Sequence, residues 1–369
     1  MHTTRTFAAL ASLAGLACAA LAQTPVAPAA PNEPAPTRTP TLSGPTNAAL
    51  VYYRAWISAD PKLGDAQVLF DHDPENDSSV TLTRDEAIQL LKDAQGVVGT
   101  VMRAASMDHT DFGLDFDQGW ALLLPHLGKL RDSARLLAAD ARRLLADNEP
   151  DAAAARAAAL YGMARQAPDD GVLISSLVGA SIANLANTLV REMLDAETLT
   201  PEGRDLIVAS IERIRRDDPF GIRSSIEMER LVTTEWVRTA FRGPDAGKKL
   251  VDSGFVETDP ATRELLASLD EQQLNAETAR VAEFYDHALR VWSYDDAVDR
   301  LEALSELIDS GAYGPLGKLF APALQKCKNS DIKARAELGD ITDALRAYRP
   351  EKDSPAEPAP GAQPAFSDR

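Results

Sequence analysis

The chain is predicted to be all-α: stacked helical hairpins, as an α-solenoid-like or irregular α/α bundle of roughly ten to twelve helices. Three observations predict it. Apolar residues recur at three- and four-residue spacings through most of residues 47–349. Prolines in that stretch sit beside acidic residues at expected helix starts, where the missing N–H has no intrahelical partner to lose. The strand-like runs, Gln67–Phe70 and Val80–Leu82, amount to one small hairpin.

The elements follow in order, with neighbours free to merge. A first helix is expected at about 47–58. The capping box Thr83-Arg84-Asp85-Glu86 opens a second at 84–106, whose apolar face runs through Ala87, Leu90, Leu91, Ala94, Val97, Val98 and Val101. At 124–147, Leu127, Leu130, Ala134, Leu137, Ala141 and Leu144 oppose Lys129, Arg131, Asp132, Arg135, Asp140 and Arg142. Glu149-Pro150-Asp151 starts 150–167. Residues 172–190 carry no charge over 19 positions, close to membrane-spanning length. Six Ser, Thr and Asn residues interrupt that run and Arg191 and Glu192 close it, so a central core helix at 171–195 is expected. Thr200-Pro201-Glu202, Asp218-Pro219, Gly243-Pro244-Asp245 and Asp259-Pro260 mark the starts of 201–216, 219–241, 244–253 and 260–270. Periodic runs through Tyr285, Leu301 and Ile341 give 275–292, 295–310 and 330–348, with a short helix at 315–325.

The ends read differently. Residues 1–22 form an export signal: Arg5 is the only charge, Phe7 to Leu21 are apolar, and Ala20-Leu21-Ala22 is a cleavage signature. Export to a periplasmic or extracellular compartment follows, and the mature chain is expected to hold no transmembrane helix. Acylation of Cys18 as a lipid anchor is the alternative. Residues 23–46, with seven prolines, and 350–369, with five, are expected to be solvated tails flanking the 47–349 helical core. Signal removal leaves Cys327 as the lone cysteine, so no intrachain disulfide forms and a buried core thiol is expected.

The 369 residues carry 38 Lys+Arg against 56 Asp+Glu, a net charge of −18. Such acidity offers no basic footprint for phosphates and excludes a nucleic-acid binder of the usual kind. Enough chain is present for a sizeable core in one or two domains.

The alanine-rich helices at 124–167 resemble a TPR-like hairpin. Ala157, Tyr161 and Ala164 keep the spacing of that repeat's second helix, and Pro168 follows. The first helix lacks the repeat's Trp and Gly, and no 34-residue period continues. The segment Gly119 to Leu127 with the helix after it also resembles uncharacterised exported helical proteins. Both likenesses, over about a third of the chain, imply helical-hairpin stacking and a compartment rather than an activity.

Two acidic segments gather candidate ligands. Asp71-His72-Asp73 precedes the capping box, and Asp108-His109-Thr110-Asp111, with Asp115 and Asp117, follows the helix that the box starts. Carboxylates at alternate positions suit a hard cation, and His72 with His109 suits a transition metal. A calcium loop from Asp71 fails, with Asn76 where glycine is needed and Leu82 where the closing Glu belongs. Turns and N-caps use the same residues, and no organic cofactor is expected. His126 and His287 are expected to be partly exposed helix residues. Ser181 lacks the setting of a nucleophile elbow, Ser330-Asp331-Ile332-Lys333 reads as a helix N-cap, and Gly243 to Lys249 is one residue short of a phosphate loop. Acid pairs such as Glu227 with Glu229 or Glu302 with Glu306 read as solvated helix faces. The expectation is a non-catalytic exported helical protein presenting a surface to a protein or peptide partner. The alternative is an exported hydrolase or lyase on an α/α-toroid scaffold.

Overall fold

Helix caps set the outline of the fold. Glu86 Oε2 accepts the Thr83 N–H at 2.8 Å, and Thr83 Oγ1 accepts the Glu86 N–H at 3.3 Å. The Thr83 N–H, and then its hydroxyl, which also donates to Glu86 Oε2 at 2.8 Å, hold the Glu86 carboxyl below its ordinary value. Pro125, Pro150, Pro201 and Pro260 each occupy the first turn of a helix. The computed structural model describes residues 46–63, 83–255, 258–320 and 323–349. The expected export signal, both tails and the 67–82 hairpin lie outside the described residues.

Among the described residues the protein is all-α, with fourteen α-helices, two 3-10 segments and no strand. Helices α1 (Ala48–Ser58), α2 (Arg84–Asp93) and α3 (Gln95–Ser106) lead through a 3-10 segment, Phe116–Ala121, to the hairpin α4 (Pro125–Ala146) and α5 (Pro150–Gln166). A second 3-10 turn, Ala167–Asp170, enters α6 (Leu173–Asp195), followed by α7 (Pro201–Glu212) and α8 (Ile222–Ala240). The short helices α9 (Ala246–Asp252) and α10 (Pro260–Ala267) precede α11 (Glu271–Val291) and α12 (Ala297–Asp309). Finally come α13 (Gly314–Phe320) and α14 (Leu324–Ala347).

Each expected helix is present, with four informative differences. The 84–106 helix breaks at Ala94, where ψ is 4°. Gln95 causes the break to be tolerated: its Nε2 takes the Leu91 carbonyl at 2.9 Å and also donates to buried Asp140 at 3.0 Å. Helix α11 starts four residues earlier than expected, because Asp270 and Gln273 form a second reciprocal cap. Helix α14 starts at Leu324, so Ser330 lies inside it, bonded back to the Lys326 carbonyl, and does not cap. Pro219 and Pro244 precede their helices instead of opening them, and Asp218 caps α8 by accepting the Ser224 N–H at 2.9 Å.

The hairpins close by Schellman turns. After α4 the Glu149 N–H reaches the Leu144 carbonyl and the Asn148 N–H the Leu145 carbonyl. After α6, Thr198 and Glu197 repeat this on Met193 and Leu194. The left-handed positions are held by Asn148 (φ 60°) and, unusually, Glu197 (φ 53°).

Helix α6 is the hub, packed by α4, α5, α8 and α14. It is long and apolar enough to cross a membrane by length and composition, yet 67% of its apolar stretch is buried within the protein, as a core helix requires. Helix α14 packs on α6, α7 and α12, so distant parts of the chain meet. That is an irregular α/α bundle rather than an open solenoid, whose units touch only their neighbours. Buried charge ties the first helices together. Asp140, with no exposed surface, takes the Arg143 Nε and Arg156 Nε, each at 2.9 Å. Cys327 is free and buried, as expected.

Candidate functional site

Helix α8 presents one face to the core: Ile222, Ser225, Ile226, Thr233, Trp236 and Val237 are buried at three- and four-residue spacing. Glu229 falls in register with that stripe, and it is half-buried. Two elements cover it. Helix α6 packs on α8 through a Ser176–Ser225 hydroxyl bond of 2.6 Å, and the Phe116–Ala121 segment also lies against α8.

That segment approaches so closely because of Gly119. Its φ of 53° and ψ of −123° suit glycine, and a methyl group there would overlap the Trp236 indole. Trp120, next in sequence, is thereby turned outward onto Phe320, with ring centroids 4.8 Å apart. Between these parts lies a cavity of about 170 Å³. Phe116, Trp120, Leu122, Val172, Met228 and Val232 are among its walls, and Glu229 is its one ionisable lining residue. Its lining is apolar and open: Trp120 is 45% exposed, Ile174 53% and Met228 38%. Large apolar side chains gathered at a concave site mark a place of recognition.

Burial pushes the Glu229 carboxyl up to about 7, opposed by the Leu173 N–H that it accepts at the start of α6. No cation pairs with it among the described residues. Its charge reaches two buried groups. Tyr285 on α11 is raised by burial and then by Glu229, and Cys327 on α14 is pushed up to about 11 by the same two causes. Tyr285 Oη donates to the Phe320 carbonyl at 3.0 Å, which links the carboxyl's neighbourhood to the aromatic ring beneath Trp120.

A serine, an aspartate and a histidine also meet nearby. Asp170 Oδ2 is bonded by Ser175 Oγ at 2.6 Å and by His126 Nε2 at 3.0 Å, while Oδ1 takes the Val172 N–H. In a nucleophilic triad the imidazole stands between hydroxyl and carboxylate; here both bond to one carboxylate oxygen. His126 is 2% exposed and roofed by Phe112 at 4.2 Å. The expectation of a partly exposed His126 is therefore corrected: it is a core histidine locking the turn into α6. His287 is half-buried and bonds the Tyr313 hydroxyl at 2.7 Å.

The sequence candidates separate as follows. Asp71, His72 and Asp73 lie outside the described residues. The His109 carbonyl takes the Ala48 N–H, and the backbone of Asp111 exchanges two bonds with the Asn47 side chain, which also caps α1. Asp111 Oδ1 takes the Gly113 N–H and Asp115 that of Asp117, so these acids shape turns. Among the described residues no group of three His, Cys, Asp or Glu side chains gathers as a metal site. Ser181 is exposed within α6, and Lys248 and Lys249 pair with Asp252 and Asp245. Glu227 is exposed and pairs with Arg223, and Glu302 and Glu306 are exposed, as solvated faces should be. Glu229 is the exception among these acids. Its signal was present: a glutamate standing at a core position of the Ile222–Val237 stripe. A comparison with protein-family models, curated proteins and solved structures finds no match to this chain.

Proposed function

We propose that the chain is an exported, non-catalytic helical protein that docks a protein or peptide partner over the Trp120–Glu229 cavity. One observation carries this reading: an apolar cavity of about 170 Å³, close to one large side chain, lined by the exposed side chains of Trp120, Ile174 and Met228. Apolar voids of that order are filled by single rings or alkyl groups. The surrounding apolar surface then buries against the partner, as the centre of an interface does.

The test is a photo-crosslinking residue placed at Leu123, with a control at exposed Asp343 of α14. The reading expects a protein crosslinked from Leu123 and not from Asp343. In purified form it should bind the wild type at least tenfold more tightly than Ile174→Asp. Equal binding by Ile174→Asp would sink it.

A second reading, an exported hydrolase or lyase, has one observation in its favour. A carboxyl titrating at about 7 in an apolar wall suits general acid–base work. Turnover in a panel of glycosides and esters, abolished by Glu229→Gln, would reverse the order of the two.

A further inference from the structure

We infer that the residue entering the cavity is a lysine of the partner, its alkyl stem lying along the apolar walls and its ammonium paired with Glu229. This rests on the docking reading and adds the chemistry of the occupant.

The geometry leaves a cation missing. On α8 the other acids are paired: Glu227 with Arg223 at 3.5 Å, and Glu235 with Arg238. Arg230, the residue after Glu229, is turned to Asp286 of α11 at 3.4 Å. Among the described residues the elements around α8 bring no counter-ion to Glu229. Helix α6 has no charged residue from 172 to 190. The 3-10 segment brings Asp117, preceded by Asp115, and both are acidic. Helix α11 offers Tyr285 and Asp286, and Cys327 of α14 lies within electrostatic range; none of these is a cation. Glu229 thus keeps the Leu173 N–H and lacks a charge partner. A carboxylate in that apolar wall is costly to ionise, and a partner's cation offsets part of the cost.

Three features select lysine. The walls are apolar around a single acid, which fits a stem that buries methylenes and carries its charge at the tip. Trp120 presents an indole to the same space, and ammonium ions favour such faces. A single acid among apolar walls suits a compact point charge better than a planar guanidinium, whose remaining N–H groups would face apolar side chains. The chain's net charge of −18 draws basic segments towards it.

Ionised Glu229 is the form that pairs, so binding should tighten with pH. With the carboxyl at about 7, its ionised fraction rises about tenfold between pH 6 and pH 8. The probes are the capped peptide acetyl-Ala-Ala-Lys-Ala-Ala-amide, its norleucine analogue and n-butylammonium, each titrated into the protein by NMR. The lysine peptide should bind about tenfold more tightly at pH 8 than at pH 6, and at pH 8 more tightly than the norleucine peptide. Norleucine binding should not tighten as the pH rises, because an apolar tip gives the ionised carboxyl no partner. Glu229→Gln should erase both differences while still binding norleucine; should that variant not fold, the pH slope of the wild type decides alone. Equal binding of both peptides at pH 8 overturns the lysine inference and leaves apolar docking intact. Butylammonium binding without either peptide overturns the protein origin of the ammonium. Binding by none of the three overturns the inference together with the docking reading.

Discussion

Glu229→Gln should stabilise the protein at alkaline pH, and the size of the effect follows from the site. In the unfolded chain the carboxyl titrates near its ordinary 4.5; in the cavity wall it titrates at about 7. The folded state therefore holds its proton more tightly. Stability from this group is complete below about pH 4.5, falls as the unfolded state deprotonates, and levels off above about 7. The loss approaches about 3 kcal/mol at pH 8 and is about 1 kcal/mol at pH 5. Glutamine has the same shape and does not ionise. The stability gap between variant and wild type should thus widen by roughly 2.5 kcal/mol from pH 5 to pH 8. Urea unfolding of both proteins at four pH values measures it, and every other titrating group cancels in the difference. A gap that stays constant with pH would refute the reasoning, since the carboxyl would then titrate alike in both states.

Other perturbations have equally definite outcomes. Asp140→Ala leaves Arg143 and Arg156 without their shared buried carboxylate and should cost about 3–5 kcal/mol by chemical denaturation, with Asp140→Asn costing less. Glu197→Gly relieves a left-handed turn residue and should raise stability by up to about 1 kcal/mol in the same assay. The Cys327 thiol, pushed up to about 11, should resist a disulfide reagent at pH 8 in the folded protein and react promptly in urea; rapid native reaction would contradict its burial.

Much of this fold was legible residue by residue. The Thr83–Glu86 box, the prolines at 150, 201 and 260, and the stripe from Leu127 to Leu144 all rest on interactions within a few residues of themselves. Local chemistry of that kind is written in local sequence. The misread positions share the opposite property. Ser330 has a capping residue's chemistry, yet α14 starts six residues earlier at Leu324. His126 carries no local sign of burial; Asp170, 44 residues away, and Phe112 enclose it. Gln95 interrupts its helix only because Asp140 and Arg156 arrive from α4 and α5.

The candidate site divides along the same line. That Glu229 occupies an apolar stripe is a fact of periodicity alone, visible once Ile222, Ile226, Thr233 and Trp236 are counted with it. That it has a cavity beside it and no cation depends on α6, α11 and the Gly119 turn closing around α8. Helix periodicity, the Thr83–Glu86 box and the proline-opened helix starts were determined by the sequence itself, because neighbours along the chain supply the forces. Which half-buried acid lines a cavity without a counter-ion was decided only by tertiary packing, because desolvation and charge pairing are set by residues that sequence distance does not order.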